Sequence, residues 1–443
     1  MTFRSKPIWG WAFYDWANSA FATTVMAGFF PIFFKTYWSH GADVNISTAR
    51  LGFGNAAAGL LVALLAPFLG ALADRASRRK RYLLCFAYLG ALATACLFWV
   101  REGQWMLAVA AYAVGIVGFS GANIYNDALL PIVSEGRRMD MVSSLGFAMG
   151  YLGGGLLFLF NVLMTTSPGA FGIVDTTSAV RISFMTVAVW WAFFSLFTAF
   201  WVKEPPGDDG PRQTIMADIG RGGAQILQTL RDARHYRPAF WFLAAYWCYI
   251  DGVDTVIRMA VDYGLSLGFD AGDLVVALLA VQFIGFPAAV GFGKLGEKWG
   301  TRKSIFLAIG CYMAITLWGA FMTRKAEFYV LAAGVGLVQG GIQALSRSYY
   351  ASLIPPDRSG EFFGFYNMLG KFAAIIGPAL VATVTLVARY WLMPSDPSAD
   401  ELIAVSRLAS RWGIGSLLVL FILGAVLLLK VRGPATGAHP DAH

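Results

Sequence analysis

Apolar residues in this chain come in blocks of about twenty, interrupted by short runs of charge, proline and glycine. Wound as a helix rising about 1.5 Å per residue, such a block matches the ~30 Å apolar core of a bilayer. Reading the blocks between their punctuation predicts twelve spans: 8–34, 53–73, 82–100, 104–131, 143–165, 182–202, 239–262, 273–293, 304–323, 328–354, 363–388 and 412–430. An even number of spans returns both termini to one side. The longest polar stretch, Lys203 to Arg237, follows the sixth span. It divides the chain into an amino-terminal half (1–202), a central loop (203–237) and a carboxy-terminal half with a short tail (238–443). The expected fold class is an all-α membrane protein of twelve transmembrane helices in two six-helix halves.

Charge sets the orientation. With the amino terminus inside, the inner segments carry 23 Lys and Arg, counting Arg347 and Lys430 near the inner ends of the tenth and twelfth spans, against 9 on the opposite side; Arg258 and Lys371, within spans, complete the 34. Cytoplasmic loops retain basic residues in this way, so both termini are expected in the cytoplasm. The chain is 57% hydrophobic and 14% charged. A soluble chain carries about a quarter charged residues, so a soluble α/β enzyme and a disordered tail are excluded. The net charge of +8 follows from the loop bias and gives no reason to expect nucleic acid. The four cysteines lie in apolar segments with no C-x-x-C spacing. Neither a disulfide framework nor a metal site is expected from them. No cleavable leader is readable at the start, so the first span is expected to be retained.

The two halves repeat. "GALADRASRRKR" (Gly70 to Arg81) follows the second span and "GKLGEKWGTRKS" (Gly293 to Ser304) follows the eighth, at an offset of 223. Both fit G-x-L-x-[DE]-[RK]-x-x-x-[RK]-[RK]. At an offset of 224, "YNDALLP" (Tyr125 to Pro131) aligns with "YYASLIP" (Tyr349 to Pro355). At 236, Asp15, Asn18 and Ser19 of the first span align with Asp251, Asp254 and Thr255 of the seventh. Internal repeats of this kind mark transporters, with the substrate site near the midplane between the halves.

Ionisable groups facing lipid cost about 2.5–3.5 kcal/mol each, so those inside spans should line a wet interior. In the seventh span Asp251, Asp254, Thr255, Arg258 and Asp262 fall on one face of a helix. Arg258 lies one turn from Asp254 and Asp262, which makes a self-satisfied ladder near the outer end. Asp251 is deeper. Lys371 sits near the middle of the eleventh span with Asn367 one turn before it, and its repeat-mate at an offset of 220 is Tyr151. The tenth span adds Gln339, Gln343, Ser346 and Tyr350 on one face, and the fourth adds Asn123, Asn126 and Asp127. Gly146, Gly150, Gly153 and Gly154 of the fifth span read as a packing face for a neighbouring helix. "GFGKLG" (Gly291 to Gly296) matches a dinucleotide fingerprint in letters, but it lies at the end of a span and belongs to the repeated loop.

These residues resemble the major facilitator superfamily, whose best-known motif is the loop signature repeated here. In the first copy Ser77 stands where the second glycine usually lies; the second copy has Gly300. More narrowly, "YDWANSAF", "YNDALLP", "SSLGFAMGYLGGG", "YIDGVDT", "QGGIQALSRS" and "EFFGFYNMLGKFAAIIGP" are similar to the vacuole-effluxer branch, the autophagy-related amino-acid effluxers and their bacterial relatives. The resemblance implies a polytopic secondary transporter, exporting amino acids from the vacuole in the yeast-type members. It also implies a gate at the loop signature: Gly70, Asp74, Arg75 and Arg78 in one copy, Gly293, Glu297, Lys298, Gly300 and Arg302 in the other. The acids would latch the cytoplasmic side shut, with Arg137 or Arg138 serving Asp74 and Arg347 or Arg358 serving Glu297.

The function expected is secondary active transport of a small polar solute, an amino acid or similar zwitterion, by rocker-switch alternating access. Candidate substrate and ion contacts are Asp15, Asn18, Asn123, Asn126, Tyr151, Asp251, Asp254, Gln339, Gln343, Asn367 and Lys371, with an ammonium toward Asp and a carboxylate toward Lys371. No histidine lies in a span, so coupling to protons would use Asp15, Asp251 and Asp254; sodium is the other ion considered. Alternatives are a larger amphiphile (peptide, cell-wall fragment or lipid) or a non-transporting receptor or scaffold on a transporter fold. No cofactor and no enzymatic activity are expected, and a monomer in the bacterial inner membrane, or in a vacuolar or lysosomal membrane of a eukaryote, is. The topology has a direct check. A cysteine at position 45 should react with an impermeant label from outside intact cells and one at position 208 should not; the reverse result would overturn the orientation.

Overall fold

The computed structural model describes residues 5–431 apart from 42–43, 77, 136–137, 205–235, 267–270, 323 and 395–397. The long elements are all helical: α1 (Lys6–Trp38), α2 (Val44–Ala76), α3 (Arg79–Cys96), α4 (Trp105–Val133), α5 (Met139–Thr166), α6 (Thr176–Trp201), α7 (Arg237–Ser266), α8 (Ala271–Trp299), α9 (Thr301–Phe321), α10 (Lys325–Leu353), α11 (Ser359–Leu392) and α12 (Ala399–Leu429). Eleven of the described helices are long and apolar enough to cross a membrane. The other is α7, whose acids lower its hydropathy. This is the twelve-helix membrane bundle expected from the apolar blocks.

Boundaries move where local chemistry extends a helix beyond its apolar block. The last helix starts at Ala399, well before position 412, because Ser398 caps it: its hydroxyl accepts from the Glu401 N–H (3.3 Å) while the Glu401 carboxylate accepts from the Ser398 N–H (2.9 Å). That reciprocal box satisfies two orphan donors and starts the helix in an amphipathic stretch. α1 widens into π-helical turns over Phe21–Phe29 and Phe34–Trp38, which carries it past residue 34. The turn from α8 to α9 passes through Gly300 at φ +92°, where a side chain would be strained. Residue 77, its counterpart, lies outside the described residues.

The loop signatures also fix helix ends. Lys80 donates to the Ala199 and Val202 carbonyls (3.2 and 2.8 Å) at the end of α6, and Arg302 donates to the Leu429 carbonyl (2.8 Å) at the end of α12. In each half a cation after the second helix thus caps the sixth, where the helix dipole is negative.

Two seams join the halves at the end carrying the loop signatures, called here the signature end. α2 meets α11 where Gly70 lies against the Gly360 carbonyl and Gly364 against Ala66 and Pro67. α8 meets α5 where Gly293 lies against Ser144 and Gly296 against Asp140 and Leu345. Gly70 and Gly293 are repeat-mates, so one motif position makes the close approach in both seams. Farther along α2 the picture changes: Gly52 and Gly59 face open space, and Phe53 and Leu60 are exposed. The α2–α11 seam is closed at the signature end and parted at the other.

The contrast along α2 generates a test. Gly70→Ala would drive a methyl into a backbone carbonyl that cannot swing aside, an overpacking cost of about 1–3 kcal/mol. It should lower the melting temperature of the detergent-purified protein by several degrees. Gly59→Ala meets nothing within 4 Å and should leave the melting temperature unchanged or raise it. Equal shifts at the two positions would contradict the closed-and-parted seam.

Candidate substrate and coupling site

The Arg347 side chain lies inside α10, about 9 Å from its signature end at 1.5 Å per residue, and is 4% exposed. Among the described residues, the hydrogen-bond partners of Arg347 all come from the other half. Its Nε donates to the Ser143 hydroxyl (2.9 Å), and Nη2 donates to the Ser143 carbonyl (2.9 Å) and to Asp15 Oδ2 (3.2 Å). Nη1 donates to Asp15 Oδ2 (3.3 Å) and Asp127 Oδ1 (3.2 Å). Trp11 and Phe147 flank the guanidinium, with ring centres 4.7 and 4.4 Å away. Five N–H groups meet five acceptor contacts, the full capacity of the side chain.

The acids are held in turn. Asn126 donates to Asp15 Oδ1 (3.0 Å) and Asn367 of α11 donates to Asp127 Oδ2 (3.0 Å). The indole of Trp11 donates to the Asn126 carbonyl (2.7 Å), tying α1 to α4. α5 can come this close to α1 because residue 146 is glycine: a Cβ there would meet Asp15, Trp11 and Arg347. The glycines expected as a packing face therefore do pack, with Gly150 against Ser19, Gly153 against Trp16 and Gly154 against Thr23.

Below this cluster a second layer closes the signature end. Arg138 forms a two-pronged pair with Glu297 (2.7 and 2.9 Å). Thr301 donates to Asp140 Oδ2 (2.6 Å), Ser348 donates to Asp140 Oδ1, and Arg79 donates to the Asp357 carbonyl (2.9 Å). Arg138 holds a left-handed φ of +50°, which ordinary residues resist by about 1–2 kcal/mol. The Glu297 carboxylate, hydrogen-bonded to it, raises the already high pKa of its guanidinium. The pair is solvated, with side chains 45% and 27% exposed. Exposed pairs contribute about 0–1 kcal/mol, whereas removing one partner from a buried cluster such as that of Arg347 costs about 3–5 kcal/mol.

The pairing of the latch differs from the sequence expectation. Glu297 is served by Arg138 of the other half; Arg347 goes to Asp15 and Asp127, and Arg358 pairs with Glu361 one turn away (2.8 Å). The side chains of Asp74 and Arg75 lie outside the described residues, as do those of Arg258 and Asp262. Lys298 and Arg78 are exposed at the signature end.

The other candidates separate into groups. Asn18 donates to Asn123, a pair on α1 and α4 one turn beyond Asp15. Gln339 and Gln343 stand one face up from Arg347 on α10, both half-buried, as are Asp254, Asn367 and Lys371. Lys371 is one turn beyond Asn367. Tyr151 instead packs between Gly285 of α8 and Gly340 of α10, filling the contact between the halves. Asp251 is buried and accepts from the Gly377 N–H (3.0 Å) within its own half. Gln282 of α8, not singled out from the sequence, donates to Thr23 in the widened stretch of α1 (2.6 Å). Among described residues it is the hydrogen bond between the halves farthest from the signature end.

Twelve helices in two repeated halves, closed at one end around a buried cross-half ion cluster, define a major facilitator transporter. Solved structures share the fold: the human organic anion transporter MFSD10 superposes with a TM-score of 0.67 at 14% identity, covering 95% of this chain and 99% of that one. The transporter FucP in its outward conformation gives 0.64 at 15% identity, covering 95% and 98%. The family model described as "Vacuole effluxer Atg22 like" matches residues 40–386, and the chain belongs to that family. The "Uncharacterized MFS-type transporter YxiO" of Bacillus subtilis (strain 168) is 35% identical over 430 residues, 95% of this chain and 94% of its own length. "Autophagy-related protein 22" of Coccidioides immitis (strain RS) is 22% identical over 86% of this chain and 82% of its own length. The protein is thus a multi-pass membrane transporter of the major facilitator type.

The cluster predicts a coupling pattern in stability. Arg347→Met leaves two buried carboxylates without their cation and should cost about 3–5 kcal/mol, read by thermal denaturation in detergent. Adding Asp15→Asn and Asp127→Asn should recover most of that loss. Additive losses in the triple variant would contradict a shared ion cluster.

Proposed function

We propose that the protein carries a small zwitterion, an amino acid by class, by rocker-switch alternating access coupled to protons. The observation that carries this reading is the buried Arg347 held by Asp15 and Asp127 of the opposite half. Two carboxylates around one guanidinium leave one negative charge in excess. A proton on either acid makes the cluster neutral and weakens one anchor of Arg347. The halves, 1–202 and 238–443 joined by the 203–237 loop, then part at the signature end, which faces the cytoplasm.

The solute occupies the space beyond the cluster. Its carboxylate engages Lys371 and its ammonium turns toward Asp254, with Gln339, Gln343, Asn18 and Asn123 as polar walls. Support comes from the half-buried state of Lys371, Asp254, Gln339, Gln343 and Asn123, unusual for polar groups between helices unless they border water. The effluxer description of the family supports the same class of activity.

Purified protein in liposomes, given a radiolabelled amino-acid mixture, tests this. A pH gradient should drive accumulation; accumulation driven only by sodium would replace the proton. Asp15→Asn should lose gradient-driven accumulation while keeping counterflow, because amide geometry remains but proton exchange does not. Lys371→Met should lose both. Full pH-driven accumulation in the double variant would overturn the site assignment.

A further inference from the structure

α11 carries Pro378 in its interior, a residue with no N–H whose ring crowds the carbonyl one turn back. Pro67, Pro131 and Pro287 also lie within described helices. At Pro378 the preceding residue does something further: the Gly377 N–H donates to Asp251 Oδ1 on α7 (3.0 Å). Asp251 is 2% exposed, and Thr255, fully buried one turn on, donates to the same oxygen at 3.5 Å. The fit is close, since a Cβ on Gly377 would meet the Thr255 hydroxyl and the Asp251 carboxylate.

Past Pro378, α11 runs on without interruption to Leu392. A proline inside a helix lacks one ladder donor and crowds the carbonyl a turn back, and the Asp251 carboxylate supplies an acceptor to the backbone at that point. We infer that Asp251 is a positioning residue: it caps the Gly377 N–H beside the proline and fixes the course of α11 there relative to the stretch that carries Asn367 and Lys371. Its repeat-mate Asp15 has the opposite employment, reaching across the halves to Arg347.

A coupling acid must exchange a proton, whereas a cap need only accept a hydrogen bond. Hydrogen exchange by mass spectrometry on the full-length protein in detergent separates the two, read over residues 373–381 with a peptide from α4 as control. Asp251→Leu should speed local exchange about tenfold, the change produced by losing one hydrogen bond to a charged acceptor. Asp251→Asn, still an acceptor, should match the wild type. Pro378→Ala in the Asp251→Leu background should restore slow exchange, because the ladder can then re-form. Gly377→Ala, which displaces the contact from the α11 side with the acid intact, should reproduce the fast exchange and serves where Asp251→Leu does not fold. Unchanged exchange in Asp251→Leu or Gly377→Ala, an Asn variant that behaves like Leu, or failure of Pro378→Ala to restore would each overturn the capping role.

Discussion

A guanidinium buried in a membrane protein must find partners for its charge and its five N–H groups, and Arg347 finds them all across the divide between the halves. The requirement locks α10 against α1, α4 and α5. The glycine contacts at the two seams and the solvated Arg138–Glu297 pair are arranged around that lock and are individually weaker. Removing Arg347 from its pocket exposes two acids and one cation at once. Opening the signature end therefore needs replacements for each partner: water entering behind the parting helices, a proton, or the solute. A lock with that property is stable yet responsive to charge.

The repeat supplies the parts in duplicate and the structure employs the copies differently. Lys80 and Arg302, one position apart in the repeat register, cap the ends of α6 and α12, and Gly70 and Gly293 do the same job in two seams. Asp15 and Asp251 do not. Asp15 has a glycine of α5 beside it and a cation opposite; Asp251 has a glycine of α11 beside it and accepts that glycine's N–H next to a proline. Duplication places the same acid in both halves, and divergence in what surrounds it gives the two copies unequal partners.

The twelve spans were readable because lipid demands long apolar blocks, and the repeated loop was readable because its letters recur. The extra turns of α12 had a sequence signal in Ser398 and Glu401 that hydropathy alone passes over. Pairing across the halves was not readable. Arg347 sits six residues from the end of α10 and was grouped with the loop charges, so its assignment to Glu297 followed from nearness to the loop signature. The better signal was charge accounting: Asp15 and Asp127 within first-half spans require a cation, and that half offers none in its spans. Likewise the Tyr151–Lys371 correspondence suggested a shared polar role, whereas the aromatic ring fills space between Gly285 and Gly340. Which residue meets which depends on how the halves are set against each other, and periodicity along one chain carries no record of that.

The central claim is that Arg347 holds the signature end shut. Spin labels at positions 135 and 357, both exposed at that end on opposite halves, report its opening as a distance distribution by pulsed electron resonance once the four native cysteines are replaced. In the otherwise unaltered protein a short distance should dominate, and in Arg347→Gln a population at longer distance should take its place. An unchanged short distance in Arg347→Gln would contradict the account.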